Sequence, residues 1–222
     1  MAVEVKFGKK HKIKEDHFIE GLFKIRARLE SQKKNILFGL LGVLIIVLLA
    51  FGIRQFREGN NIKSQELFGQ AMMEYQNGKY TNSIAGFKRI VDEYGSSRSA
   101  PKALFLIGGL YYELGNYTLS VDAYQKYIGK YDESEFLNAA VYKGLGSAYI
   151  QMRDYDNAIS AFKTAIRKYP DDFSIPELRY KLARCLVEKK DTVAAKSELE
   201  NLKNQYPASF YSHEADLLLA TL

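Results

Sequence analysis

Tryptophan is absent from the 222-residue chain, cysteine occurs once, histidine three times and proline four times. A lone cysteine, Cys185, excludes an intramolecular disulfide. Its helical setting marks it as a small buried hydrophobe rather than a reactive thiol. His11, His17 and His213 are scattered, and HExxH, Walker and CxxC motifs are all missing. No catalytic group, metal site or cofactor is expected, and no enzymatic activity. The paired acids Asp171 and Asp172 follow a helix end and read as solvated linker.

Charge is also unevenly missing. Residues 1–35 carry ten Lys/Arg against five Asp/Glu, whereas the remainder carries 22 against 21. The basic pI of about 9.1 therefore belongs to the tail, and the main domain is not expected to bind nucleic acid. From Ile36 to Ile53, "ILFGLLGVLIIVLLAFGI", 18 consecutive residues carry no charged or strongly polar side chain. As a helix rising about 1.5 Å per residue this run reaches roughly 27 Å, close to a bilayer's hydrocarbon core. A cleaved signal sequence is not expected, because the 35-residue tail far exceeds a usual n-region.

Basic residues set the expected orientation. Lys33 and Lys34 stand at the start of the span, while only Arg54, Arg57 and Lys63 follow closely. The tail should face the cytoplasm and the C-terminal bulk the opposite side. Within the tail, "KFGKKHKIK" (Lys6–Lys14) is expected to be disordered, attracting anionic lipid or serving only as a topology signal. Phe18, Leu22, Ile25 and Leu29 then recur at helical spacing, as an amphipathic helix on a lipid surface or a partner would require. The expected organisation is a basic tail over 1–35, a transmembrane helix over 36–53, a linker over 54–63 and a repeat domain over 64–222.

The repeats are read most clearly from "GLGSAYIQMRDYDNAISAFKTAIRKYPDD", Gly144–Asp172. Tyr142, Leu145, Gly146 and Tyr149 fall on one helix. Ala158, Phe162 and Ala165 fall on a second, Arg153–Asp156 forms the turn, and Pro170 ends the unit. Related sets recur as Ala71, Gly78, Tyr80, Ser83 and Phe87; as Gly108, Tyr111, Gly115, Tyr117, Ser120 and Tyr124; and as Ala183, Ala195, Leu199 and Pro207. Successive units start 37, 38 and 37 residues apart. Small residues such as Gly146 and Ala158 should sit at helix crossings, with Tyr149, Tyr155 and Phe162 filling the volume around them. The glycines of "GGLYYELG", Gly108–Gly115, are assigned to crossings and turns rather than to a phosphate loop. "ADLLLATL" at the C-terminus is too apolar for a solvated cap, so it packs on the fourth unit or meets a partner.

This pattern resembles the tetratricopeptide repeat, a helix-turn-helix unit, and implies an all-α solenoid of about four repeats preceded by one transmembrane helix. The resemblance implies a concave groove lined by the first helix of each unit. Mapped on this sequence, that face holds Phe68, Met72, Tyr75, Phe105, Tyr112, Lys143, Tyr180, Lys181 and Arg184. Aromatics toward one end and cations toward the other suit an extended or helical peptide with an acidic portion. A carboxylate clamp of the family type is not expected, since no asparagine accompanies Lys143.

The whole arrangement, with "GFKRIVDEYGSS" (Gly86–Ser97) and "APKALFLIGGLYYELGNY" (Ala100–Tyr117), is similar to bacterial membrane-anchored tetratricopeptide proteins that include the ancillary subunit of the Sec translocon. That similarity implies an inner-membrane, single-pass protein with periplasmic repeats and with translocon subunits, chaperones or other envelope proteins as partners. An envelope-assembly or cell-division scaffold is the alternative.

Overall fold

The computed structural model describes residues 17–131 and 135–222. The basic run Lys6–Lys14 lies outside the described residues. The chain divides into two compact units, 1–56 and 57–222.

In the first unit, helix α1 spans His17–Ser31 and is followed at once by α2, Lys33–Gln76. Leu22, Ile25 and Leu29 on α1 are each more than half exposed, so the apolar face of this helix is uncovered. Glu30 pairs with Arg26 at 3.8 Å and Lys33 at 4.0 Å, both at the surface, where such pairs contribute little. None of the apolar window in α2 is buried, and the helix is long and apolar enough to cross a membrane. Residues 54–63, expected as a linker, are helical and belong to α2.

In the second unit, the last turns of α2 pair with α3 (Tyr80–Glu93): Phe68 and Phe87 lie 5.2 Å apart, and the buried Ser83 hydroxyl donates to the Ala71 carbonyl at 2.9 Å. Then come α4 (Ala100–Glu113) with α5 (Tyr117–Lys130), α6 (Glu135–Gln151) with α7 (Tyr155–Lys168), and α8 (Ile175–Glu188) with α9 (Thr192–Gln205). A single helix, α10 (Phe210–Leu219), closes the series. From α3 onward each helix packs on the next, and α4 also meets α6 as α8 meets α10. No strand occurs among the described residues.

The four hairpin turns share one backbone solution. Gly78, Gly115, Arg153 and Lys190 all adopt left-handed φ values, 72°, 73°, 59° and 62°. At each, the amide of the following residue donates to a carbonyl five residues back, as Asn116 does to Tyr111 at 2.8 Å and Asp191 to Leu186 at 2.9 Å. The left-handed residue itself donates three back, as Gly115 does to Tyr112 at 3.0 Å. This paired closure satisfies carbonyls that a helix end would leave orphaned. In the last two turns, Asp154 and Asp191 also cap the next helix by accepting from the amides of Asn157 and Ala194.

The hairpin crossings depend on missing side-chain atoms. A Cβ on Gly146 would lie 2.7 and 2.9 Å from Cζ and Cδ1 of Phe162, and closer still to Cε1. One on Gly108 would lie 2.6 Å from the Tyr124 ring, and one on Gly144 2.5 Å from the same ring. At these three glycines the space is filled by an aromatic ring of a neighbouring helix, whereas at Gly86 of α3 an added Cβ would lie 2.9 Å from the Ala71 Cβ and 3.5 Å from its Cα, a close approach of two helix backbones. Ser120 at the crossing donates to the Gly108 carbonyl at 2.8 Å, as Ser83 does to Ala71, whereas Ala158 and Ala195 take the equivalent places and bury only a methyl group.

Between units, six residues join α3 to α4 and α7 to α8, whereas α6 is itself longer, at 17 residues against 14 for its neighbours. Pro101 and Pro176 lie in the first turns of α4 and α8, where a missing amide hydrogen costs nothing. Asp172 departs from its expected role as solvated linker: its carboxylate accepts from the Ser174 amide at 2.9 Å and from the Ser174 hydroxyl, fixing the entry to α8. At the C-terminus, Ala215 is fully buried, and Leu218, Leu219 and Leu222 pack with Leu199 and Leu202. Of the two fates expected for "ADLLLATL", it takes packing on the fourth unit.

Candidate functional site

The first helices of successive units present side chains along one face, and two neighbouring clefts open there. One, of about 370 Å³, lies among α4, α6 and the start of α8. Its walls include Phe105, Tyr112, Lys143 and Lys181, and its floor is formed by Gly109, Ala140, Gly144 and Tyr124. The other, of about 290 Å³, adjoins it through Tyr112, Ser147 and Lys181 and reaches Arg184 and Glu188. Five of the nine groove residues read from the sequence, Phe105, Tyr112, Lys143, Lys181 and Arg184, thus line these two clefts. The other four do not. Phe68 and Met72 are half-buried against the core of the first two hairpins, Tyr75 lies 5.8 Å from Tyr80, and Tyr180 lies 5.8 Å from Tyr211.

The cleft walls are internally tied. Tyr112 packs edge-on against Tyr117 at 5.5 Å and its hydroxyl accepts from the Gln151 amide at 3.2 Å. Phe105 tilts against Tyr124 at 6.1 Å. The two lysines share one acid: Glu177 bonds Lys143 at 3.1 Å and Lys181 at 2.9 Å, and Lys181 also reaches the Ser147 hydroxyl at 3.2 Å. Burial alone would raise the Glu177 carboxyl, but the bonds and charges of Lys181 and Lys143 outweigh it and hold the group below the usual range.

Sequence reasoning missed Glu177, whose position four residues before Lys181 on one helix was the available signal. It also missed Gly109. Gly108 sits at a crossing and Gly115 in a turn, but a Cβ on Gly109 would meet only the Tyr124 hydroxyl, at 3.8 Å, so this glycine opens onto the cleft. The expected acidic ligand fits poorly. Lys143 and Lys181 are offset by Glu177 beside them, and Glu113 and Asp172 also line the cleft.

On the opposite side, between α3 and α5, a broader groove of about 780 Å³ is lined by Lys88, Asp92, Asp122, Lys126 and Lys130 around Leu104, Ile107 and Tyr111. Lys88 sits over the Tyr111 ring at 5.3 Å. Cys185 is buried, with its thiol pushed up to about 11 chiefly by burial. Among the described residues, no three His, Cys, Asp or Glu side chains come together as metal ligands would.

A series of like hairpins with an open face lined by their first helices defines a helical-repeat protein of the kind that binds other proteins. Family models described as tetratricopeptide repeat match residues 68–135 and 149–220, together 140 of the 222. The chain belongs to the tetratricopeptide repeat proteins. No curated protein sequence matches it.

Among solved structures, it is similar to a tetratricopeptide repeat protein from Parabacteroides merdae at 12% identity and TM-score 0.61, covering 70% of this chain and 58% of that one. MamA is similar at 19% identity and TM-score 0.53, over 62% of this chain and 74% of its own. YrrB, described as a tetratricopeptide protein with an unusual peptide-binding site, gives 17% and 0.52, over 64% and 68%. At these identities the likeness shows the fold alone.

Proposed function

We propose that the protein is a single-pass membrane scaffold that binds segments of other proteins on the face formed by α4, α6 and α8. The observation that carries this reading is the pair of adjoining clefts lined by Phe105, Tyr112, Lys143, Lys181 and Arg184. Chemistry plays no part in the proposal, and no cofactor is required. A peptide-binding site in the YrrB description, on a similar fold, supports the assignment of a peptide to such a face. The uncovered apolar stretch of α2 supports the anchor, and the basic surplus before it supports a cytoplasmic N-terminus with repeats on the periplasmic side of an inner membrane. In that setting the partners are translocon subunits or periplasmic chaperones. The mixed-charge groove between α3 and α5 favours a second reading, a scaffold for envelope assembly or cell division that holds folded proteins on that side.

Photocrosslinking in cells from positions 75, 112 and 180, with position 193 on α9 as control, tests both. Val193 is 83% exposed and stands apart from both clefts. Strong products from 112 that contain translocon subunits or chaperones support the first reading, whereas envelope machinery captured from a further probe at position 126, in the groove between α3 and α5, supports the second. Labelling from 112 no stronger than from 193 defeats the assignment of this face.

A further inference from the structure

The floor of the 370 Å³ cleft holds a group that the fold does not use. Tyr124 is 4% exposed, with its ring wedged between Gly108 of α4 and Gly144 of α6. Its hydroxyl projects past that contact toward Gly109 and Gly144, where added Cβ atoms would lie 3.8 and 2.6 Å from it. Among the described residues no donor or acceptor pairs with it, whereas the buried Tyr127 hydroxyl on the same helix is paired to Asn138 at 3.0 Å. The hydroxyl opens onto the cleft, where a ligand's acceptor would take the place of water. Burial also raises its pKa, so it remains a neutral donor throughout the physiological range.

Two helices withhold side chains at this same spot. Gly109 leaves its stretch of α4 bare and Ala140 of α6 adds only a methyl group, while the Tyr124 ring covers Gly144. Bare backbone beside an unpaired donor suits a ligand whose own main chain must come close. The walls beside it are aromatic, Phe105 and Tyr112. The four charged lining residues balance, with Glu113 and Asp172 against Lys143 and Lys181.

Building on the peptide-binding reading above, we infer that this cleft takes an uncharged, extended segment of a partner protein. One of its main-chain carbonyls accepts from the Tyr124 hydroxyl, and the neighbouring apolar side chain lies between Phe105 and Tyr112. The slot selects an apolar residue in an unfolded stretch, not an acidic motif or a chain terminus.

The test uses the full chain in phosphatidylcholine nanodiscs, first to select binders from a random decapeptide phage library. Selected sequences are then synthesised with blocked ends and titrated by fluorescence anisotropy. The expected binders are apolar at one position and insensitive to salt. Gly109→Leu puts a side chain into the slot from a position where the added Cβ meets only the Tyr124 hydroxyl, at 3.8 Å, so it should weaken binding at least tenfold while the thermal midpoint holds or rises. Tyr124→Phe removes only the unpaired hydroxyl. It should weaken binding about fivefold, the worth of one hydrogen bond, again without loss of stability. Peptides that bind both variants as tightly as the parent overturn the slot while leaving a peptide-binding face intact. Selection of acidic, salt-sensitive peptides also overturns it. A library that yields no binder removes the peptide-binding reading and the slot with it.

Discussion

Replacing Gly146 by alanine tests whether ring-filled crossings hold the hairpins together. The new methyl group would fall 2.7 and 2.9 Å from two atoms of the Phe162 ring and nearer to a third. Phe162 is fully buried, so the ring has no solvent to swing into. Overpacking of this kind costs about 1–3 kcal/mol. Alanine returns about 0.5–1 kcal/mol through its better helix propensity. The net loss expected is about 1–2 kcal/mol.

Gly109→Ala supplies the control, because the same change on α4 meets only the Tyr124 hydroxyl at 3.8 Å. There only the propensity gain remains, about 0.5–1 kcal/mol. The propensity gain is common to both, so two chemically identical substitutions should differ by the overpacking cost, about 1–3 kcal/mol. Urea unfolding of the full chain in a mild nonionic detergent, followed by helical circular dichroism, measures the difference. Phe162→Leu in the Gly146→Ala background should recover about 1 kcal/mol relative to additivity, since the overlapping ring is gone. Equal stability of Gly146→Ala and Gly109→Ala would refute the reasoning outright.

At the turns, Gly115→Ala places a Cβ at φ 73° and should cost about 1 kcal/mol, whereas Arg153→Gly and Lys190→Gly relieve φ values of 59° and 62° and should be neutral to about 1 kcal/mol stabilising; the same urea titration orders them. Glu177 titrates lower folded than unfolded, so its stabilisation is complete above the ordinary carboxyl range, about pH 4.3, and fades as pH falls toward the folded value. Glu177→Gln should therefore flatten the acid side of a midpoint-versus-pH curve and leave neutral pH comparatively unaffected in slope. Cys185, with its thiol raised to about 11, should resist iodoacetamide at pH 8 in the native protein and react promptly in denaturant, as mass spectrometry would read.

Helix pairing was legible because it rests on residues whose size alone carries the signal. Gly108, Gly146, Ala158 and Ser120 announce crossings, and the spacing of Gly78, Gly115, Arg153 and Lys190 matches the interval between units. The face was legible only in part. Phe105, Tyr112, Lys143, Lys181 and Arg184 line the clefts, but Phe68 and Tyr180 follow the same periodicity and are used for packing. Periodicity gives the side of a helix and not whether a neighbouring hairpin already covers it. Glu177 was passed over because a groove mapped by aromatic and basic character does not register an acid that offsets the bases. Gly109 was absorbed into a run of glycines whose companions do serve crossing and turn. Tyr124 was legible as a repeat position equivalent to Phe162, but sequence cannot tell where its hydroxyl ends up.

The core of the second unit comes as three successive clusters rather than one, with the last formed by α8, α9 and α10 alone. In a stack where stability passes only between neighbours, loosening starts at the termini and advances one hairpin at a time. The bare-floored slot sits on α4 and α6, well inside that sequence of events. A molecule that has shed its C-terminal helix under heat or proteolysis should still recognise its ligand, so damage would silence this protein gradually, and recognition would be among the last properties to go.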